Sequence, residues 1–98
     1  MKREEYKNVK GQLHRVDGPA VINHTFELWY FNGKRHRVDG PAYIDRNNKS
    51  WYMNGLWHRL DGPAYIHGDY RGWFMCGKRI NPNDYIHEEI KDFIHCVI

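Results

Sequence analysis

Residues 33–44 read GKRHRVDGPAYI, and the chain writes this segment three times, as GQLHRVDGPAVI at 11–22, GKRHRVDGPAYI at 33–44 and GLWHRLDGPAYI at 55–66. Eight of the twelve positions are identical in all three copies. The glycines that open them, Gly11, Gly33 and Gly55, are followed at the same interval of 22 residues by Gly77, which opens a broken copy. A fixed period of this length marks an array whose units stack because none can bury its apolar surface alone.

Working outward, Trp29, Trp51 and Trp73 each stand four residues before a repeat glycine and are followed by Tyr30, Tyr52 and Phe74. Aromatic and β-branched residues in period-2 alternation mark strands, and Asn32-Gly33 and Asn54-Gly55 are strong tight-turn signals. The first strand of each unit is read at 20–22, 42–44 and 64–66, the second at 28–31, 50–53 and 72–75, with polar loops between them. Each unit is thus expected to be one β-hairpin, and the whole a mainly β, meandering antiparallel sheet of about three hairpin repeats. Alternation places Trp29 with Phe31, Trp51 with Met53 and Trp73 with Met75 on one side, and Tyr30, Tyr52 and Phe74 on the other. Both faces then carry apolar groups, and one needs a cover.

The ends of the chain look like caps. Residues 1–10 resemble a degenerate strand, with Tyr6 and Val9 where later copies are richer in aromatics. After Gly77 the pattern fails: Ile80 stands where histidine would, followed by Asn81-Pro82. Asn81 can cap a helix that begins at Pro82. Tyr85, Ile86, Ile90, Phe93, Ile94 and Val97 follow at helical spacing, so a C-terminal amphipathic helix is expected to cap the sheet. One domain of 98 residues results, with a cap strand at 1–10, repeats at 11–77 and a turn and helix at 78–98.

A net charge of +3 is a mild basic bias that permits an anionic partner without requiring one. The basic start MKREEYKNVK has no apolar run behind it, and no stretch reaches the roughly 20 apolar residues of a membrane helix. A cytoplasmic protein without membrane contact is expected, and its two cysteines, Cys76 and Cys96, are expected to be free thiols.

Three copies of His-Arg-x-Asp invite a site: His14, Arg15, Asp17; His36, Arg37, Asp39; and His58, Arg59, Asp61. Equivalent residues of successive hairpins lie two strand spacings apart, about 9–10 Å, whereas zinc holds nitrogen ligands at about 2.0–2.1 Å. The three histidines therefore cannot share an ion, and no metal or other cofactor is expected. Asp before Gly-Pro suits a turn that glycine and proline shape, and arginines could pair with aspartates of neighbouring copies across the sheet. Three equal constellations suggest a packing rule, since an active site needs a single asymmetric one. Ser50 is the only serine and Thr25 the only threonine, so hydroxyl nucleophiles are scarce. The chain is read as a non-enzyme.

Function is then sought where the copies differ. The residues after each repeat glycine are Gln12-Leu13, Lys34-Arg35, Leu56-Trp57 and Lys78-Arg79. An apolar pair rimmed by basic pairs could anchor an acidic protein or a nucleotide, and the loop residues Tyr70 and Arg71 are a second candidate. Lys34, Arg35, Leu56, Trp57, Tyr70, Arg71, Lys78 and Arg79 form the expected partner-binding set.

At W-Y-x-N-G-x-x-H-R-x-D-G-P-A the chain resembles short repeat proteins of bacteriophages and large viruses and is distantly similar to MORN-type hairpin repeats, over residues 11–77. The resemblance implies a non-catalytic role in contact with a protein or lipid. Its viral side implies a small phage protein that inhibits or redirects a host defence enzyme, with a host protein as partner. Nucleotide or nucleic-acid binding is the alternative, and a structural virion component a second one. Open sheet edges add a homodimer as a further expectation.

Overall fold

The computed structural model describes residues 3–83, which form thirteen short strands and no α-helix. In chain order these are β1 (Glu4–Glu5), β2 (Val21–Ile22), β3 (Phe26–Leu28), β4 (Tyr30–Phe31), β5 (Lys34–Arg35), β6 (Tyr43–Asp45) and β7 (Asn48–Ser50). They continue with β8 (Tyr52–Met53), β9 (Leu56–Trp57), β10 (Tyr65–His67), β11 (Tyr70–Gly72), β12 (Phe74–Met75) and β13 (Lys78–Arg79). Seven of them make one antiparallel sheet in the order β1-β2-β3-β6-β7-β10-β11, while β4-β5, β8-β9 and β12-β13 are separate two-stranded hairpins. The expected mainly β meander is present, with two hairpins in each repeat rather than one.

The extra hairpin arises at the tryptophans. Trp29 N–H donates to the Ala42 carbonyl in the main sheet at 2.7 Å, whereas its own carbonyl accepts from His36 N–H at 3.1 Å. Trp51 does the same with Ala64 and His58. One strand thus pairs first with a main-sheet neighbour and then with its own return strand, and residues 37–41, including the Asp-Gly-Pro segment, bulge out between the two pairings. The turns at the hairpin tips carry two successive positive φ angles, 48° and 82° at Asn32-Gly33 and 51° and 83° at Asn54-Gly55. That is the type I′ pattern, whose twist matches the flanking strands.

Lys34-Arg35, Leu56-Trp57 and Lys78-Arg79 are therefore paired strands and not an exposed edge. Tyr30 is opposite Arg35, Tyr52 opposite Trp57 and Phe74 opposite Arg79. This face of the hairpins meets Tyr43 and Tyr65 of the main sheet. The Arg35 guanidinium lies 5.4 Å from the Tyr43 and Tyr52 ring centres, and the Trp57 ring lies 5.5 Å from Tyr65 and 4.7 Å from Phe74. Across the main sheet the same face reads Val21, Leu28, Tyr43, Ser50, Tyr65, Gly72 in register. Buried Ser50 and Gly72 leave room beside the two tyrosines. The cover that a two-faced apolar sheet requires is supplied here by the repeats' own second hairpins.

Among the described residues the fully buried ones are few and small. Ala20, Val21, Ala42 and Ala64 have no exposed surface, because each alanine lies where two backbones approach: its N–H donates to residue 28, 50 or 72 at 2.8 Å and its carbonyl accepts from residue 6, 29 or 51 at 2.7 Å. The expected C-terminal helix lies outside the described residues from position 84 onward; at its expected start Asn81 Oδ1 accepts from Asn83 N–H at 2.9 Å. Cys76 is disulfide-bonded, which corrects the expectation of a free thiol.

Candidate functional site

The invariant histidine, arginine and aspartate are placed by the bulge. Arg37 folds back over its own Asp-Gly-Pro turn, with Nε donating to Asp39 Oδ1 at 2.9 Å and Nη1 to the Pro41 carbonyl at 3.1 Å. Its guanidinium lies 3.7 Å above the Trp29 ring. Arg59 repeats this with Asp61, Pro63 and Trp51, and Arg15 with Asp17, Pro19 and Tyr6. The arginines pair with the aspartate of their own copy, not with a neighbouring copy as the sequence suggested.

The turn glycines are there for space. Gly18, Gly40 and Gly62 do not take positive φ, but a Cβ on Gly40 would stand 2.9 Å from Arg37 Cζ, and the other two are as tight. The guanidinium is thus held between a glycine backbone and an aromatic ring, an arrangement that stabilises it by cation–π attraction and by bonds only a planar fork can make. The Arg37 hydrogen bond also holds the Asp39 carboxyl below its ordinary value.

Each histidine reaches forward into the next repeat. His14 Nδ1 accepts from Asn32 N–H at 2.9 Å, His36 Nδ1 from Asn54 N–H at 3.0 Å and His58 Nδ1 from Cys76 N–H at 3.0 Å. An accepting Nδ1 requires the neutral ring, and burial holds the His36 and His58 imidazoles below their ordinary value. Among the described residues no group of three or more His, Cys, Asp and Glu side chains is placed to hold a metal ion.

The expected partner-binding residues do not form one patch. Arg35 and Trp57 are half-buried between the hairpins and the main sheet. Burial works against the Arg35 charge, but hydrogen bonds and attraction from Tyr30 and Tyr52 outweigh it and raise its pKa. Leu56 is half-buried, within 3.3 Å of where a Gly77 Cβ would stand. Lys34 and Lys78 are exposed on the opposite hairpin face. Tyr70, Arg71 and Arg79 are exposed at the far end, where Arg79 Nη2 donates to the Tyr70 hydroxyl at 3.0 Å. Arg71 belongs to the other face of the main sheet, opposite Ile66.

What the structure does bring together was not singled out from the sequence. Successive bulges wall two grooves of about 470 and 970 Å³. The first runs from Val16 and Asp17 across Trp29 and Phe31 to Val38 and Asp39. Every residue lining it has its counterpart one repeat later lining the second, with Trp51 and Met53 on the floor and Leu60 and Asp61 on the far wall. The signal lay in the variable position of His-Arg-x-Asp: Val16, Val38 and Leu60 are all apolar, yet Val16 and Val38 are 77% and 80% exposed. Comparison with known protein families, curated proteins and solved structures finds no match, so the site stands on this geometry.

Proposed function

We propose that the chain is a non-enzymatic protein-binding module, a small phage protein that inhibits or redirects a host defence enzyme. The observation that carries this reading is how the nine repeated polar residues are used. The arginines are locked onto aromatic rings and their own turns, and the histidines accept from the next repeat. What remains at the surface is shape, exposed apolar side chains and charge, which suits recognition rather than bond chemistry. The resemblance to viral HRxDGPA repeats supports the viral setting, and the hairpin array supports the distant MORN-like kinship. A nucleic-acid reading loses Arg15, Arg37 and Arg59 and would rest on Lys34, Lys78, Arg71 and Arg79. The test is capture of partners by the tagged full chain in bacterial lysate, followed by reconstitution with the purified partner. One protein co-eluting in fixed stoichiometry, with its activity changed, is the expected result; the absence of any stoichiometric partner overturns the reading.

A further inference from the structure

The two grooves differ from ordinary surface relief in three ways that bear on what could fill them. Each residue lining the first has its counterpart one repeat later in the second, which is larger and also reaches His36, Gly40, Pro41 and Asn54. Their floors pair Trp29 with Phe31 and Trp51 with Met53, each tryptophan carrying an arginine on one ring face, and their walls carry Val16 and Val38, which the bulge leaves 77% and 80% exposed. Their rims carry carboxylates: the Asp17, Asp39 and Asp61 side chains are 86%, 81% and 85% exposed, while the arginines that hold them are only 29%, 20% and 23% exposed. Each carboxylate is paired with the arginine beneath it, so the ion pairs are neutral as a whole and present their carboxylate side to solvent.

Spacing selects the ligand's conformation. Neighbouring grooves are separated by two inter-strand distances, about 9–10 Å. A polyproline II helix advances about 3.1 Å per residue with three residues per turn, so it repeats a side-chain direction every 9.3 Å or so. A β-strand repeats at about 6.8 Å and would fall out of step. From this match we infer that the paired grooves bind a proline-rich segment of a partner protein in the polyproline II conformation, with apolar residues entering successive grooves and Lys or Arg side chains pairing with the rim aspartates. Aromatic-lined grooves are a general solution for such segments, which lose little entropy on binding.

The inference rests on the protein-binding reading and names its partner's chemistry, so its test is separate from partner capture. The full chain is titrated calorimetrically with a twelve-residue peptide of Pro-Pro-Lys repeats, with Pro-Pro-Glu and Gly-Ser-Lys peptides of equal length, and with a single-stranded oligonucleotide. Only the Pro-Pro-Lys peptide is expected to bind measurably, at least ten-fold tighter than any of the others. Val38, exposed and common to both grooves, gives the variant: Val38→Lys should keep the native melting temperature and weaken the peptide at least five-fold. Gly-Ser-Lys binding as well as Pro-Pro-Lys, an oligonucleotide displacing the peptide, unchanged affinity in Val38→Lys or no peptide binding at all would each overturn the inference. In each case the capture experiment would still decide the broader reading.

Discussion

Arg37 does three things that a lysine cannot do together: it stacks on Trp29, pairs with Asp39 through Nε and donates to the Pro41 carbonyl through Nη1. Arg37→Lys keeps the charge and should still destabilise the fold by about 1–2 kcal/mol in urea denaturation. Asp39→Asn, at a far more exposed side chain, should shift the urea midpoint much less than Arg37→Lys does, because solvent screens the pair from that side. His36 and His58 give the protein a pH dependence whose sign follows from their depressed pKa values. The unfolded chain, titrating near 6.5, takes up protons that the folded chain resists. Stability is therefore full above about pH 6.5 and falls as pH drops through the lower folded values. Urea midpoints measured from pH 7.5 to pH 5 should decline, and the His36→Ala/His58→Ala double variant should flatten that part of the curve while lowering stability throughout.

The hairpin tip and the bulge use glycine for different reasons, and substitution separates them. Gly33 sits at φ 82° with the nearest side-chain atoms, those of Gln12, at an ordinary 3.5 Å, so Gly33→Ala suffers backbone strain of about 1 kcal/mol whatever its neighbours. Gly40→Ala instead displaces the Arg37 guanidinium. Its cost should largely vanish in an Arg37→Ala background, a coupling that a double-mutant cycle in urea would read directly, whereas Gly33→Ala should cost the same in both. The contrast also shows what the sequence could tell. Period, turn residues and strand alternation made the main sheet and the Asn-Gly tips legible, and they placed Tyr30, Tyr52 and Phe74 on one face. The second hairpin escaped because residues 28–31 read as one continuous strand, while the pairing of Trp29 with two different partners depends on contacts distant in sequence. Arg35 and Trp57 looked like edge residues for the same reason. The grooves escaped because Val16, Val38 and Leu60, met singly, look like ordinary apolar residues, and only the bulge turns Val16 and Val38 outward.

At the scale of the molecule, each repeat is held to the next by main-sheet pairing, by hairpin contacts such as Gly55 N–H to the Arg35 carbonyl at 2.7 Å, and by one histidine bond. Stability of this kind is a sum over neighbours, lowest at the ends. Hydrogen exchange should accordingly be slowest at the amides of Ala42, Trp51 and Ala64, which bridge adjacent strands, and much faster in β1; uniform protection from β1 to β11 would contradict this. The histidine bond also has a direction, always from one copy to the turn of the following one, and the position where a fourth histidine would sit is Ile80. Ile80 keeps the backbone bond to Trp73 at 3.0 Å but its side chain can accept nothing from a further turn. The histidine bond at each boundary is the same, so an unequal recombination that adds or deletes one whole unit upstream of Ile80 preserves it and leaves only side chains such as Arg35 and Trp57 to be refitted. Lineages carrying such a gene can change the number of grooves in a single hereditary step while leaving the terminator in place.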